Sequence, residues 1–204
     1  MVPSSRQPDL NPEYKRARSD DEKQEREAAI VLAARHEFDE RGMHAFTMTG
    51  VAKRVHISKA ALYGYHESKW SILATLTVGM VRSWAAELRQ RNGSTLDASG
   101  LRDSLDGRGA LLDLSALYPR VIAPELENEA RVAVEAQLAH AHEEAGVALG
   151  ADSQDAVGAE HLSRAVLALL GAGSTQHSAV SAVLDAMRAS ASSPARMYPE
   201  TEGV

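Results

Sequence analysis

The chain has 204 residues, of which 44% are hydrophobic and 25% charged, and its formal net charge is −6. This composition is typical of a soluble globular protein with one large or two small domains. The absence of cysteine excludes disulfides, thiolate metal ligands and a cysteine nucleophile. The N-terminal residues contain no apolar run of signal-peptide length, and no stretch of the chain reaches the length of a membrane span, so we expect a cytoplasmic protein without membrane partners.

The charge is distributed unevenly along the sequence. Residues 1–90 hold 14 Lys and Arg against 12 Asp and Glu, whereas residues 91–204 hold 8 against 16. All five lysines lie within the first 69 residues. A basic contact face on an acidic body would produce this asymmetry and would favour nucleic acid as a partner. Random variation of surface charge is the alternative explanation.

The first 20 residues contain three prolines among polar residues, which is typical of a disordered arm. A small basic cluster near the end of this arm consists of Lys15, Arg16 and Arg18. Flexible basic arms can enter the minor groove of DNA. The sequence leaves open whether this arm does so or remains solvated.

Three helices are predicted between residues 22 and 66. The first covers 22–41 and stops at Gly42, a common helix terminator. Thr47 and Ser58 are good N-caps for two short helices over 48–55 and 59–66. The first helix is expected to bury one face, because its apolar residues recur at helical spacing: Ile30, Ala33, Ala34 and Phe38.

The rest of the chain also favours helices. Ser68 can cap a long helix over 68–91, and the stretch 92–109, rich in Gly, Ser and Asp, is predicted to be a linker with room for a short helical turn. Further helices are predicted at about 109–117, 125–145, 155–172 and 175–190, followed by a disordered tail at 191–204. We see no strand alternation and no internal repeat, so we predict an all-α fold.

The segment 47–66 carries the functional prediction. Its two short helices, joined by the turn 55–57, are too short to be stable alone and must pack on the first helix. Such a three-helix unit is a helix-turn-helix, in which the second short helix enters the major groove. Lys59 can donate to guanine O6 or N7, and Ala60 or Ala61 can contact a thymine methyl group.

Tyr63, Tyr65 and Lys69 follow at positions suited to phosphate contacts, which fix register without reading sequence. Two tyrosines are, by themselves, as easily explained as half-buried aromatic residues. The functional interpretation of the two tyrosines depends on a family resemblance, in which their spacing from Ser58, Leu62 and Lys69 is that of the family.

Three runs of residues resemble the DNA-binding domain of the TetR family. They are Ile30-Val31-x-Ala33-Ala34-x-x-x-Phe38-x-x-x-Gly42, Thr47-x-x-x-Val51-Ala52, and Ile57-Ser58-x-x-x-Leu62-Tyr63-x-Tyr65-x-x-Ser68-Lys69. The resemblance covers about residues 24–84, with the recognition motif at 47–66. It places operator contacts on Thr47, Lys59, Ala60, Ala61, Tyr63, Tyr65 and Lys69.

The resemblance implies a transcriptional regulator that binds double-stranded operator DNA as a homodimer. It further implies a repressor that is released when the C-terminal helices bind a small-molecule effector of unknown identity. We accordingly expect a disordered arm (1–20), a helix-turn-helix domain (21–67), a helical effector-binding and dimerisation bundle (68–190) and a tail (191–204).

The sequence departs from the family pattern at four positions. His56 occupies the turn position that is usually Gly, so a non-glycine residue must adopt that backbone. His66 replaces an aromatic residue that packs beneath the recognition helix, and Glu37 replaces a leucine. Trp70 stands where an acidic residue is common. Of these, His66 raises the greatest question about packing.

Two apolar stripes near the C-terminus are candidates for the dimer interface. One stripe is Leu162, Val166, Leu169 and Leu170, and the other is Val180, Val183, Leu184 and Met187. Two such helices can meet their copies in a four-helix interface. The alternative is that both stripes are intramolecular core.

Helix 68–91 carries large apolar residues that resemble the lining of a ligand pocket. We predict the effector pocket at Leu73, Leu76, Met80 and Trp84, a placement that the family resemblance favours. A stripe of Met and Trp at helical spacing is, however, also typical of ordinary core.

The eight histidines do not form a recognisable metal site. His140 and Glu144 share a helix face, but no three-ligand spacing accompanies them. No catalytic motif is evident either, so we expect no metal, cofactor or enzymatic activity. The alternatives are a ligand-independent regulator, an activator and, from another class, a small helical enzyme or metal-binding bundle.

Overall fold

The computed structural model describes residues 12–91, 98–151 and 154–171, without the side chains of 12–19, 98, 99, 102, 156 and 169–171. Within these ranges every regular element is a helix, and the predicted all-α fold is confirmed. The chain divides into two compact units, Met1–Lys69 and Trp70–Val204. No helix among the described residues is long and apolar enough to cross a membrane.

The first unit contains three helices and the start of a fourth, and the second contains the others. In chain order the helices are α1 (Pro12–Ala45), α2 (Met48–Val55), α3 (Lys59–Tyr63), α4 (Lys69–Gln90), α5 (Ala98–Leu105), α6 (Gly109–Leu117), α7 (Asn128–Ala148) and α8 (Ala156–Gly171). A π-helical turn (Tyr118–Ile122) and a 3₁₀ turn (Ala123–Glu125) connect α6 to α7.

The core of the first unit is formed by the predicted face of α1 together with apolar residues of α2 and α3. The four residues predicted to face inward from α1 are all buried. The ring centroids of Phe38 and Phe46 lie 6.5 Å apart at a tilt of 55°, a favourable aromatic geometry. Leu62 anchors the five-residue α3 and is fully buried, which contributes about 2 kcal/mol to holding this short helix in place.

Helix α1 begins earlier than predicted. The prediction that residues 1–20 are a disordered arm is wrong for 12–20, because α1 starts at Pro12. Proline is favoured in the first turn of a helix, and the following residues are rich in Glu, Lys and Arg, which are good helix formers. The basic cluster Lys15, Arg16 and Arg18 therefore lies in helical backbone. Gly42 leaves the helical conformation (φ 66°, ψ −179°), at the predicted stop.

The second unit is built around α4 and the close packing of α7 on α8. Nearly every apolar residue of α4 is buried, and Trp84 Nε1 donates a 3.1 Å hydrogen bond to Ser104 Oγ on α5. Gly146 allows α7 and α8 to approach, since a Cβ there would lie 1.9 Å from the Ala159 carbonyl oxygen. The predicted linker 92–109 contains a helix that is longer than the single turn predicted there: Ala98–Leu105 forms α5 and buries Leu101.

Candidate nucleic-acid interface

The turn between α2 and α3 has the sharp geometry of a helix-turn-helix. His56 adopts the left-handed conformation (φ 57°, ψ 39°), as the departure from glycine required. Ile57 N donates to Ala52 O at 3.1 Å and His56 N to Lys53 O at 3.3 Å. This pair of hydrogen bonds is a Schellman motif, which satisfies the last carbonyls of α2 and redirects the chain into α3.

Side-chain caps define the start of both short helices. Thr47 Oγ1 accepts a 3.0 Å hydrogen bond from Gly50 N, and Ser58 Oγ accepts one of 3.0 Å from Ala61 N. Each cap satisfies a backbone N–H that would otherwise lack a partner. Both predicted N-caps are therefore confirmed, and the Thr47 hydroxyl retains its hydrogen for donation to another acceptor.

Helix α3 packs against the first unit through one buried residue, and its other four residues are exposed. Leu62 is buried, whereas Lys59, Ala60, Ala61 and Tyr63 are exposed. Tyr63 is 43% exposed, which is unusual for so large an apolar ring. A continuous exposed face on the second helix of a helix-turn-helix is the surface that enters the major groove in this class of domain.

Lys59 and Tyr63 interact within this exposed face. Lys59 Nζ lies 5.6 Å from the centroid of the Tyr63 ring, a cation–π arrangement worth about 0.5–1 kcal/mol at an exposed site. A bidentate contact to a base is worth about 1–3 kcal/mol, which is more than the cation–π contact. The ring can therefore orient the ammonium group and still release it to a base. Tyr65 and Lys69, which follow α3, are half-buried.

Beneath α2 lies an ion-pair cluster of α1 and α2 that we name the Glu37 cluster: Glu37, Glu40, Arg41 and Arg54. Glu37 is only 2% exposed, and its carboxylate accepts a 2.9 Å hydrogen bond from Arg54 Nε. Arg41 Nε lies 3.2 Å from the other carboxylate oxygen. The hydrogen bonds that Arg54 donates to Glu40 and Glu37 raise the pKa of Arg54, and the same bond to Glu40 lowers the pKa of Glu40.

The Glu37 cluster was not predicted, although Glu37 had been identified as a departure from the family pattern. The feature of the sequence that could have indicated this cluster is Glu37 itself, a carboxylate next to the apolar face of α1. Such a residue needs a cationic partner from another element. The sequence gives no indication that Arg54 rather than another arginine supplies that partner, because the pairing depends on how α2 packs on α1.

His66 follows α3 at the position where the family usually has an aromatic residue, and its backbone N–H donates to Leu62 O at 3.0 Å. It is buried, and its Nε2 has no hydrogen-bond partner among the described residues. Burial lowers the pKa of His66, while the charge of Glu27 opposes that shift. The imidazole therefore acts as a neutral packing group, which answers the question that this substitution raised.

A helix-turn-helix with an exposed second helix defines the class of a DNA-binding protein. Residues 30–76, which include α2 and α3, match the family described as bacterial regulatory proteins, tetR family, so this segment is similar to the DNA-binding domain of that family. The match supports a DNA-binding transcriptional regulator. Regulators of this family are generally not enzymes and usually dimerise. A search among curated proteins gave no match.

The four predicted pocket residues of α4 are buried side chains of the second unit. Leu73, Leu76, Met80 and Trp84 are each at most 3% exposed. A cavity of about 420 Å³ does lie in the second unit, but residues of α6, α7, α8 and the π-helical turn line it. The placement of a ligand at the four α4 residues stays a prediction.

The first predicted interface stripe is partly intramolecular. Leu162 and Val166 are 3% and 1% exposed within a single chain, because α7 and α6 pack against that side of α8. The side chains of Leu169 and Leu170 are not among those described. The whole second stripe lies outside the described residues: Val180, Val183, Leu184 and Met187.

The histidines of α7 differ in their surroundings. His140 is exposed and lies 3.6 Å from Glu143 and 4.0 Å from Glu144, a solvated surface arrangement. His142 is buried, its Nδ1 lies 2.9 Å from Ser163 Oγ, and burial with the nearby Arg164 lowers its pKa to about 3. Across the described ranges, no group of three potential metal ligands comes together.

Proposed function

We propose that this regulator is a repressor that binds a palindromic operator as a homodimer and is released by a small-molecule ligand. The observation that supports operator reading best is the exposed face of α3. Its side chains are held in position by the burial of Leu62 and by the Ser58 cap. A rigid presentation of this kind lowers the entropic cost of docking into a groove.

The base-reading residues in this proposal are Lys59, Ala60 and Ala61. The ammonium group of Lys59 can donate to guanine O6 or N7, and the alanine methyl groups can pack against a thymine methyl. The two alanines also leave no bulk near the start of α3, so the helix backbone can approach the base edges. All three side chains are exposed in the free protein.

The residues that position the domain on the phosphates are Thr47, Tyr63, Tyr65 and Lys69. Thr47 keeps its hydroxyl hydrogen available while its oxygen caps α2. Phosphate contacts of this kind orient the domain but do not distinguish sequences. Lys69 is also the first residue of α4, the helix through which the chain continues into the second unit.

A homodimer follows from the amount of sequence that one helix can read. One recognition helix contacts only a few base pairs, too few among the roughly 10⁶–10⁹ competing sites of a genome. Two helices about 34 Å apart read two half-sites, and this requires two-fold symmetry. Because Leu162 and Val166 are already buried, we place the interface mainly on the end of α8 and on the stripe Val180, Val183, Leu184 and Met187.

Release by a ligand would act through α4. A ligand bound in the second unit that prefers one position of α4 shifts the population of recognition-helix separations. We place the protein in the cytoplasm, where operator DNA and a metabolite ligand are both accessible. No enzymatic role is proposed.

The proposal is tested by selecting binding sites for the full chain from a random duplex library. We expect enriched sequences with two-fold symmetry and half-sites about one helical turn apart. Val183→Asp should then sediment as a monomer and lose the selected site, while Val157→Asp, at a position that is 65% exposed on α8, serves as the matched control. Enrichment of an asymmetric site, or none, would contradict the proposal.

A further inference from the structure

The cavity in the second unit has a chemically mixed lining. Two arginines line it, Arg120 from the π-helical turn and Arg164 from α8, together with His142 of α7 and Ser115 of α6. Leu167 and Ala168 add apolar surface. The volume, about 420 Å³, lies in the range of small-molecule pockets.

The charge at this cavity is opposite to that of the surrounding sequence. Residues 91–204 hold twice as many acidic as basic residues, yet the lining described here contains two arginines and no carboxylate. Arg164 uses Nε for a 2.8 Å hydrogen bond to Glu160. Its two terminal nitrogens remain as a fork that matches a second carboxylate.

The other polar groups that line the cavity are neutral, and one of them, the Ser115 hydroxyl, has no hydrogen-bond partner among the described residues. The Ser115 hydroxyl oxygen is also buried. His142 holds α7 to α8 through Ser163 and carries no charge near neutral pH, since burial lowers its pKa to about 3. A buried hydroxyl without a partner is costly, and a ligand oxygen would satisfy it.

We propose that this cavity binds a small organic carboxylate, with the carboxylate held by Arg120 and Arg164 and the apolar body against Leu167 and Ala168. Its role as the effector site rests on the ligand-responsive function proposed above. An uncharged ligand would leave Arg120 without an anion in the cavity and would not use the terminal nitrogens of Arg164. An inorganic anion would leave the apolar part of the cavity empty. A carboxylate with an apolar body satisfies both parts.

The test is titration calorimetry of the full chain with octanoate and benzoate, each compared with its uncharged amide. We expect at least one carboxylate to bind with a Kd below about 1 mM and its amide to bind at least about tenfold more weakly. Comparison of octanoate with benzoate shows whether an aliphatic or an aromatic group fits the apolar part of the cavity. If neither carboxylate binds, or if an amide binds as tightly as its acid, the proposal is wrong.

Variants locate the binding. Arg120→Gln and Arg164→Gln should each weaken the carboxylate about tenfold, because each removes one charge-assisted hydrogen-bonding partner. Ala168→Phe, a substitution at an exposed lining position, should block binding by filling the cavity. Arg82→Gln is the matched control, since Arg82 is exposed on α4 and does not line the cavity. Unchanged binding in both arginine variants would overturn the assignment.

A parallel titration of operator DNA with and without the carboxylate separates the two proposals. Binding of the carboxylate without a change in DNA affinity would support the cavity site and contradict release by this ligand. Loss of DNA affinity that persists in Ala168→Phe would place the effector elsewhere and contradict the cavity site.

Discussion

The carboxylate of Glu37 on α1 accepts a 2.9 Å hydrogen bond from the guanidinium group of Arg54 on α2. This contact joins the long helix to the first helix of the helix-turn-helix. Since Glu37 is almost fully buried, the contact neutralises a charge that would be very unfavourable without a partner. The orientation of α2, and with it of the turn into α3, therefore depends on an ion pair whose carboxylate is buried and whose guanidinium group is half-buried.

Arg54→Ala should be clearly more destabilising than Glu37→Leu. The first leaves a buried carboxylate with only the exposed Arg41, whereas the second replaces it by an apolar group of similar size. We expect a decrease in Tm of about 5–10 °C for Arg54→Ala and little change for Glu37→Leu. The double variant should recover most of the loss. Additive effects in this thermal-unfolding cycle would argue against a coupled pair.

The effect of Gly50→Ala on the free energy of unfolding should depend on the residue at position 37, being unfavourable with Glu37 and favourable with the smaller side chain of Glu37→Ala. A Cβ at Gly50 would lie 1.9 Å from Glu37 Oε1, so the carboxylate would have to leave Arg54. In the wild type we expect a loss of about 1–2 kcal/mol in unfolding free energy. In a Glu37→Ala background the same substitution should gain up to about 1 kcal/mol from helix propensity. Destabilisation of equal size in both backgrounds would show that the alanine side chain does not clash with Glu37 and would contradict this prediction.

His142 should make the protein less stable in acid. Its folded-state pKa is about 3 against an ordinary 6.5, so below pH 6.5 the unfolded chain binds a proton that the folded chain does not. This contribution is fully present above pH 6.5 and is lost as the pH falls towards 3. His142→Asn should reduce the slope of unfolding free energy between pH 6 and 4.5 by about 1 kcal/mol per pH unit.

The control for this titration is His140→Asn, which removes an exposed histidine from the same helix. An unaltered slope in His142→Asn denaturation curves would mean that His142 becomes protonated in the folded state at ordinary pH.

Lys69→Ala should weaken binding to all duplexes by similar factors. The proposed role of Lys69 is a phosphate contact, which releases about one counterion on binding. The slope of log affinity against log salt concentration should therefore fall by roughly one, as measured by fluorescence anisotropy. Arg82→Gln, which removes a charge from the second unit, should leave the slope as it is. If the slope for Lys69→Ala equals that of the wild type, Lys69 does not contact a phosphate and the prediction is wrong.

Local signals predicted the first unit well, because its elements are specified by caps and short-range periodicity. Thr47 and Ser58 set the beginnings of α2 and α3, and His56 adopts the backbone that its position in the turn demands. The early start of α1 was missed because Pro12 was interpreted as a disorder signal rather than as a first-turn residue.

Long-range pairings could not be predicted in this way. Glu37 meets Arg54, and His142 meets Ser163, only because separate helices pack together. The cavity likewise combines Arg120 and Arg164 from distant parts of the chain. Apolar periodicity alone could not distinguish a dimer stripe from core at Leu162, which is buried by its own chain.

The most direct test of the central proposal, that α3 reads bases, is the specificity of Lys59→Ala. Its affinity for the selected operator, for single-base variants and for a random duplex is measured at one fixed salt concentration. We predict a loss of about 1–3 kcal/mol on the operator, a relaxed preference at one base position and nearly unchanged binding to the random duplex. Undiminished discrimination at every position by a folded Lys59→Ala protein would contradict base reading by Lys59 on α3.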